Sequence, residues 1–136
     1  MKNENVFLWP IRVYYEDTDA GGVVYHTNYI KFMERARTEW LRNIGVEQDE
    51  LRKKYAVIFA VRSVNIDYMS PAKFNDELMV ASTVTKKGKA SITIEQEITK
   101  AEQIICKGIV KVATLDDTSL KPKAMPNDLF EIIKIN

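Results

Sequence analysis

Residues 14–44 read YYEDTDAGGVVYHTNYIKFMERARTEWLRNI, and the second half of this stretch decides the fold. Tyr29, Phe32, Met33, Ala36, Trp40, Leu41 and Ile44 recur at helical spacing and form one apolar stripe. Lys31, Glu34, Arg35, Thr38, Glu39 and Arg42 fall on the other faces. The spacing predicts a helix over 28–44, with Thr27 or Asn28 as its N-cap. Gly45 follows the last periodic residue, where left-handed backbone commonly ends a helix. Such a helix is about 25 Å long at ~1.5 Å per residue. An aromatic-rich stripe of that length needs a broad cover.

The rest of the chain supplies the cover. Val6–Tyr15 is β-prone, with Pro10 marking a strand start, an edge or a bulge. Tyr55–Val64 is β-prone and extends towards Tyr68, before Ser70-Pro71 stops it. Three alternating runs follow at 78–85, 91–98 and 104–115, separated by the turns KKGKA and KAEQ. Residues 46–54 and 127–135 read as short helices, and residues 1–5 as a frayed end. The order β–α–β–β–β–β makes this an α+β chain, one antiparallel sheet on one long helix, organised as a single domain over 1–136. The mixed Ile/Lys face of strand 104–115 implies cover by another subunit.

Composition narrows the partners. Twenty basic residues against nineteen acidic ones give net +1, which offers no electrostatic bias towards nucleic acid. No apolar run approaches the roughly 20 residues of a membrane helix. MKNENVFLWP lacks the apolar core of a secretory signal, and a lone Cys106 fits a reducing compartment, so a cytoplasmic location is expected.

The first half of the opening stretch carries the chemistry. Asp17-Thr18-Asp19-Ala20-Gly21-Gly22 begins like a calcium loop, but its fifth position is Gly21, its twelfth is Asn28, and no helix enters it. One His and one Cys, far apart, do not make a zinc site. No G-x-S-x-G elbow is present, and Cys106 inside an alternating strand reads as a small buried residue. Asp19 remains, beside a glycine corner and a predicted helix start. It reads either as a turn-capping residue or as a carboxylate base or nucleophile. A carboxylate held ionised by a helix start suits a reaction whose leaving group needs no acid. A thiolate, with its pKa of about 8.5, is such a group, which favours thioesters.

The run Tyr14-Tyr15-Glu16-Asp17-Thr18-Asp19-Ala20-Gly21-Gly22-Val23-Val24-Tyr25-His26, then Asn28-Tyr29 and Phe32-x-Glu34-x-Ala36-Arg37, resembles the 4-hydroxybenzoyl-CoA thioesterase family of hotdog-fold proteins. Within it the chain is most similar to the Tol-Pal-associated acyl-CoA thioesterases of bacteria. Asn65-Ile66-Asp67-Tyr68 and Phe74-x-Asp76-x-Leu78 extend the likeness over nearly the whole length. The resemblance implies a hotdog fold, dimers commonly paired into tetramers, active sites at subunit interfaces, and acyl-CoA hydrolysis without metal or redox cofactor. It maps the catalytic aspartate on to Asp19, as nucleophile or general base. Gly22 falls in the corner, and Tyr25 and His26 fall where acyl-pocket residues follow it. The relatives' oxyanion-binding glycine falls in the segment Val57–Phe59, where this chain has Ile58 beside Phe59. Lys86, Lys87 and Lys89 at a hairpin tip are candidates for CoA phosphates, or else a solvated turn. Glu34 and Arg37 are expected to make packing or interface contacts. The competing expectation is a weakly catalytic hotdog that partners acyl carrier protein or an envelope assembly. A hotdog dehydratase is disfavoured, because His26 sits in a different local pattern.

Overall fold

The computed structural model describes residues 5–136. The expected fraying of residues 1–5 therefore lies outside the described residues except at Asn5, whose Nδ2 donates to the Ile135 carbonyl at 3.3 Å. The elements are β1 (Val6–Arg12), α1 (His26–Asn43), α2 (Gln48–Tyr55), β2 (Val57–Tyr68), β3 (Glu77–Lys87), β4 (Ser91–Lys100), β5 (Gln103–Asp116) and α3 (Asn127–Ile132). The five strands form one sheet in the order β1-β3-β4-β5-β2, and every neighbouring pair is antiparallel.

The periodicities explain both layers. Tyr29, Phe32, Met33 and Ala36 of α1 pack with Val80, Ile98, Ile105 and Cys106 in one cluster of the core. Trp40 and Leu41 join Val57, Ile92, Ile94, Val110, Leu129 and Ile133 in a second. At mid-helix the approach is close: a Cβ on Gly108 would sit 3.0 Å from Met33 Sδ and Cε. Only glycine lets α1 lie this near β5. A long helix wrapped by one antiparallel sheet is the hotdog arrangement that the sequence implied.

Local signals fare differently. Pro10 lies inside β1, opposite Met79 on an edge strand, where a missing N–H costs no ladder bond. Gly45 has φ +90°, as a residue beyond a helix end should. The N-cap expectation is corrected: α1 begins at His26 with Tyr25 as N-cap, and no side chain caps it. Asn28 is drawn away by a stronger partner, the buried carboxylate of Asp17.

The second edge is β2. From Val61 to Tyr68 every residue but Ile66 is exposed. Val61, Val64, Tyr68 and the following Met69 place apolar surface there. Long apolar edges are rarely left open, because their unpaired backbone groups invite another strand. The mixed face of β5 is divided: Ile105 is buried in the chain's own core, while Lys107, Ile109 and Lys111 are exposed. Among the described residues, no helix is long and apolar enough to cross a membrane.

Candidate active site

The loop between β1 and α1 is a small folded unit. Thr18 bridges Val24, and the Asp19 N–H donates to the Val23 carbonyl at 3.0 Å. The turn closes with the Gly22 N–H on the Asp19 carbonyl at 3.0 Å, and Gly22 takes φ +80°, which L side chains rarely adopt. The Gly21 N–H donates to Asp19 Oδ1 at 2.8 Å. The glycine corner thus orients one carboxylate oxygen, and Asp19 itself is exposed. The Val24 N–H donates to the Ala72 carbonyl at 2.9 Å, which ties the corner to the segment before β3.

The two aspartates have opposite environments. Asp17 is 5% exposed. Its Oδ2 accepts the Tyr14 N–H at 2.8 Å and its Oδ1 accepts Asn28 Nδ2 at 2.9 Å. Both oxygens are consumed in joining the end of β1 to the first turn of α1. Asp19 keeps Oδ2 without a protein partner among the described residues, so it is the carboxylate that can meet a substrate.

Tyr25 and His26 follow the corner with ring centroids 4.5 Å apart, and both are exposed. The Tyr68 hydroxyl donates to the His26 carbonyl at 3.0 Å, fixing the far end of β2 against the start of α1. The Tyr68 ring meets His26 edge-on and Tyr29 at a tilt. The Tyr29 hydroxyl accepts the Ala72 N–H at 3.0 Å. Burial pushes the Tyr29 and Tyr68 phenols above their ordinary values, so both stay protonated at neutral pH.

Ile58 and Phe59 are not brought to this corner within one chain. Tyr68 marks the Asp19 end of β2, and Phe59 lies nine residues back along the strand, about 30 Å at ~3.3 Å per residue. Ile58 sits in regular strand opposite Leu115 and makes no turn, as the β-favouring run Val57-Ile58-Phe59 dictates. Phe59 instead lines a cavity of about 110 Å³ between α1 and β2, with Arg37, Trp40, Leu41, Val61 and Ile94. Sequence reading did not single out this cavity as a site. Of the hairpin lysines, Lys87 is committed elsewhere: its Nζ donates to the Phe130 and Ile133 carbonyls and lies over the Phe130 ring. Lys86 and Lys89 are exposed. Cys106 is fully buried, and burial pushes its thiol up to about 12.

Known proteins resemble this chain in sequence and fold. The model of the thioesterase superfamily matches residues 21–107, beginning two residues after Asp19. An acyl-CoA thioesterase named YbgC from Haemophilus influenzae is 44% identical over 126 residues, covering 93% of each chain. An acyl-CoA thioester hydrolase YbgC from Escherichia coli is 41% identical over 133 residues, covering 97% of this chain and 98% of that one. Among solved structures, a probable thioesterase from Bartonella henselae superposes with a TM-score of 0.85 at 31% identity, covering 89% of this chain and 99% of that one. Matched by the family model over residues 21–107 and by these relatives over nearly its full length, the chain belongs to the thioesterase superfamily.

Proposed function

We propose that the chain hydrolyses acyl-CoA thioesters to the free acid and CoA, in the cytoplasm, with Asp19 as the catalytic carboxylate. The observation that carries the proposal is the division of labour between the two aspartates. Asp17 is buried and fully occupied, while Asp19 is held by Gly21 with one oxygen open. As a base, Asp19 takes a proton from water as the oxygen attacks the thioester carbon. As a nucleophile, it attacks that carbon itself and the resulting anhydride is hydrolysed. In both routes the C–S bond breaks and CoA leaves as thiolate, which needs no strong acid. Tyr25 and His26 border the reacting group, and the relatives' names supply acyl-CoA as the substrate class.

The working unit is a dimer, or a pair of dimers, formed through β2. Its exposed apolar edge fits pairing with the same edge of a second copy about a two-fold axis. Antiparallel pairing sets the Phe59 end of one β2 near the Tyr68 end of the other. The Asp19 corner of one subunit then faces the α1/β2 cavity of its partner. The substrate-binding set Gly22, Tyr25, His26, Ile58 and Phe59 comes together only across this interface.

The test is thiol release from a panel of acyl-CoAs by the wild-type protein and Asp19→Asn. A loss of turnover of at least a hundredfold, with unchanged unfolding temperature, supports the reading. Equal rates for the two proteins would refute it. A protein that hydrolyses no thioester but binds acyl carrier protein would move the assignment to a carrier partner.

A further inference from the structure

Arg37 is an anomaly inside the helix stripe. It lies four residues after Met33 and four before Leu41, on the sheet side of α1, and is only 8% exposed. Buried guanidinium groups ordinarily sit against a carboxylate. Here Nη1 donates to Gln96 Oε1 at 2.9 Å, a neutral amide. Gln96 is itself buried and is fixed by donating to the Met33 carbonyl and to Ser82 Oγ, each at 2.9 Å. Glu34 lies one turn back on α1; its carboxylate accepts Thr38 Oγ1 at 3.0 Å and favours the Arg37 charge through space, with no direct hydrogen bond between the two. Nε and Nη2 of Arg37 have no protein partner among the described residues, yet they are not shut away from solvent. Arg37 is among the residues that line the α1/β2 cavity.

Most of the other lining is apolar, including Trp40, Leu41, Phe59, Val61 and Ile94, while exposed Glu34 and Gln48 and half-buried Thr38 bring polar groups to it. The cavity therefore has greasy sides and a charged inner wall held rigidly by the Gln96 amide. Its volume is about 110 Å³. An apolar cavity of about 150 Å³ holds one benzene ring, so this one holds about four carbons.

We propose that Arg37 is the specificity-determining residue of the thioesterase: the α1/β2 cavity receives the acyl chain, and the Arg37 guanidinium ends it at about four carbons. The proposal rests on acyl-CoA being the substrate and on the two-fold pairing of β2 that brings an Asp19 corner to this cavity. Each methylene laid along the apolar walls raises affinity about fourfold. A methylene pressed on to the guanidinium displaces the solvent that serves Nε and Nη2. Leaving such donors unserved loses roughly five- to a hundredfold, which outweighs the gain.

The experiment measures kcat/KM for acetyl-, butyryl-, hexanoyl- and octanoyl-CoA with wild type, Arg37→Met and Arg37→Lys. The expected wild-type profile rises to butyryl and falls beyond it. Arg37→Met raises the octanoyl-to-butyryl ratio at least tenfold, whereas Arg37→Lys, which retains the charge, keeps the ratio below one. A merely structural Arg37 would lower all four substrates together. A wild-type profile that climbs through octanoyl, or a ratio unmoved in folded Arg37→Met, overturns the proposal.

A second readout needs neither turnover nor an Arg37 variant. Trp40 lines the cavity, so in a Trp9→Phe background its emission reports binding of the unhydrolysable thioethers S-butyl-CoA and S-octyl-CoA. The octyl compound is expected to bind no tighter than the butyl one, and affinity rising through octyl overturns the proposal. Thioether binding with this limit but no hydrolysis of any thioester would sink the hydrolytic reading and leave the cavity assignment standing. Hydrolysis indifferent to chain length would do the reverse.

Discussion

Replacing Asp17 with asparagine leaves one of two donors without an acceptor. In the folded chain Asp17 Oδ2 takes the Tyr14 N–H at 2.8 Å and Oδ1 takes Asn28 Nδ2 at 2.9 Å. An asparagine offers one oxygen, and its amide N–H₂ must face the other donor. The lost charge-assisted bond and the unserved donor together cost roughly 2–4 kcal/mol. At about 3–5 °C per kcal/mol for a chain of this size, the unfolding temperature falls by about 6–20 °C. In Asp19→Asn the side-chain oxygen still accepts the Gly21 N–H, because asparagine forms the same turn. Its stability stays within about 0.5 kcal/mol of wild type. Thermal unfolding followed by circular dichroism, at one protein concentration for all three proteins, reads both effects. Equal destabilisation by the two substitutions, or none by Asp17→Asn, would refute the assignment of one aspartate to the scaffold and the other to the surface.

Cys106 provides a pH test. Its thiol is pushed from 9.0 to about 12 by burial, so the fold favours the neutral form. Stability is therefore full below about pH 9 and falls as pH climbs from there towards 12, as the unfolded chain gains thiolate first. Alkylation at pH 8 should be slow in the native protein and fast in urea, and rapid native labelling would contradict the burial. Lys87 provides a test of the C-terminal segment. Lys87→Met removes the donor to the Phe130 and Ile133 carbonyls and the charge over the Phe130 ring. Amide exchange at residues 129–133 should speed up about ten- to a hundredfold, corresponding to roughly 1.5–3 kcal/mol, and unchanged exchange would show that packing alone holds α3.

The sequence made the long helix and the alternating strands readable because their burial follows simple periods. Tyr29 to Leu41 gave the stripe, and Ile92, Ile94 and Ile98 gave the inward face of β4. The helix start was missed because Thr27 and Asn28 look like caps, and only the fold shows Asn28 engaged by Asp17. The Arg37–Gln96 pair had two signals that were not joined. Arg37 shares a face with Met33 and Leu41, and Gln96 is the polar member of the inward series of β4. A polar residue on each of two facing apolar surfaces is a sign that they meet. The edge position of β2 was not legible, because strand order depends on pairings distant in sequence. Asp19 stood out in the sequence by its glycine corner and by the resemblance, and the hydrogen bonds add that Asp17 is occupied on both oxygens while Asp19 is held on one.

The proposed dimer sets Asp19 of one subunit against a chain lodged in the cavity of the other. Subunit mixing tests it. Asp19→Asn removes the carboxylate, and Val61→Trp fills the cavity mouth. Asp19→Asn alone should release thiol from butyryl-CoA at about 1% of the wild-type rate or less, the order of loss expected when a catalytic group is removed, and Val61→Trp, which excludes the acyl chain, should be similarly inactive. When the two are unfolded together in equal amounts and refolded, random pairing leaves one site in four with both an intact Asp19 and an open cavity, so the mixture should recover about a quarter of the wild-type rate. A mixture as inactive as its components, with hybrid dimers demonstrated by sedimentation of tagged chains, would contradict the shared site.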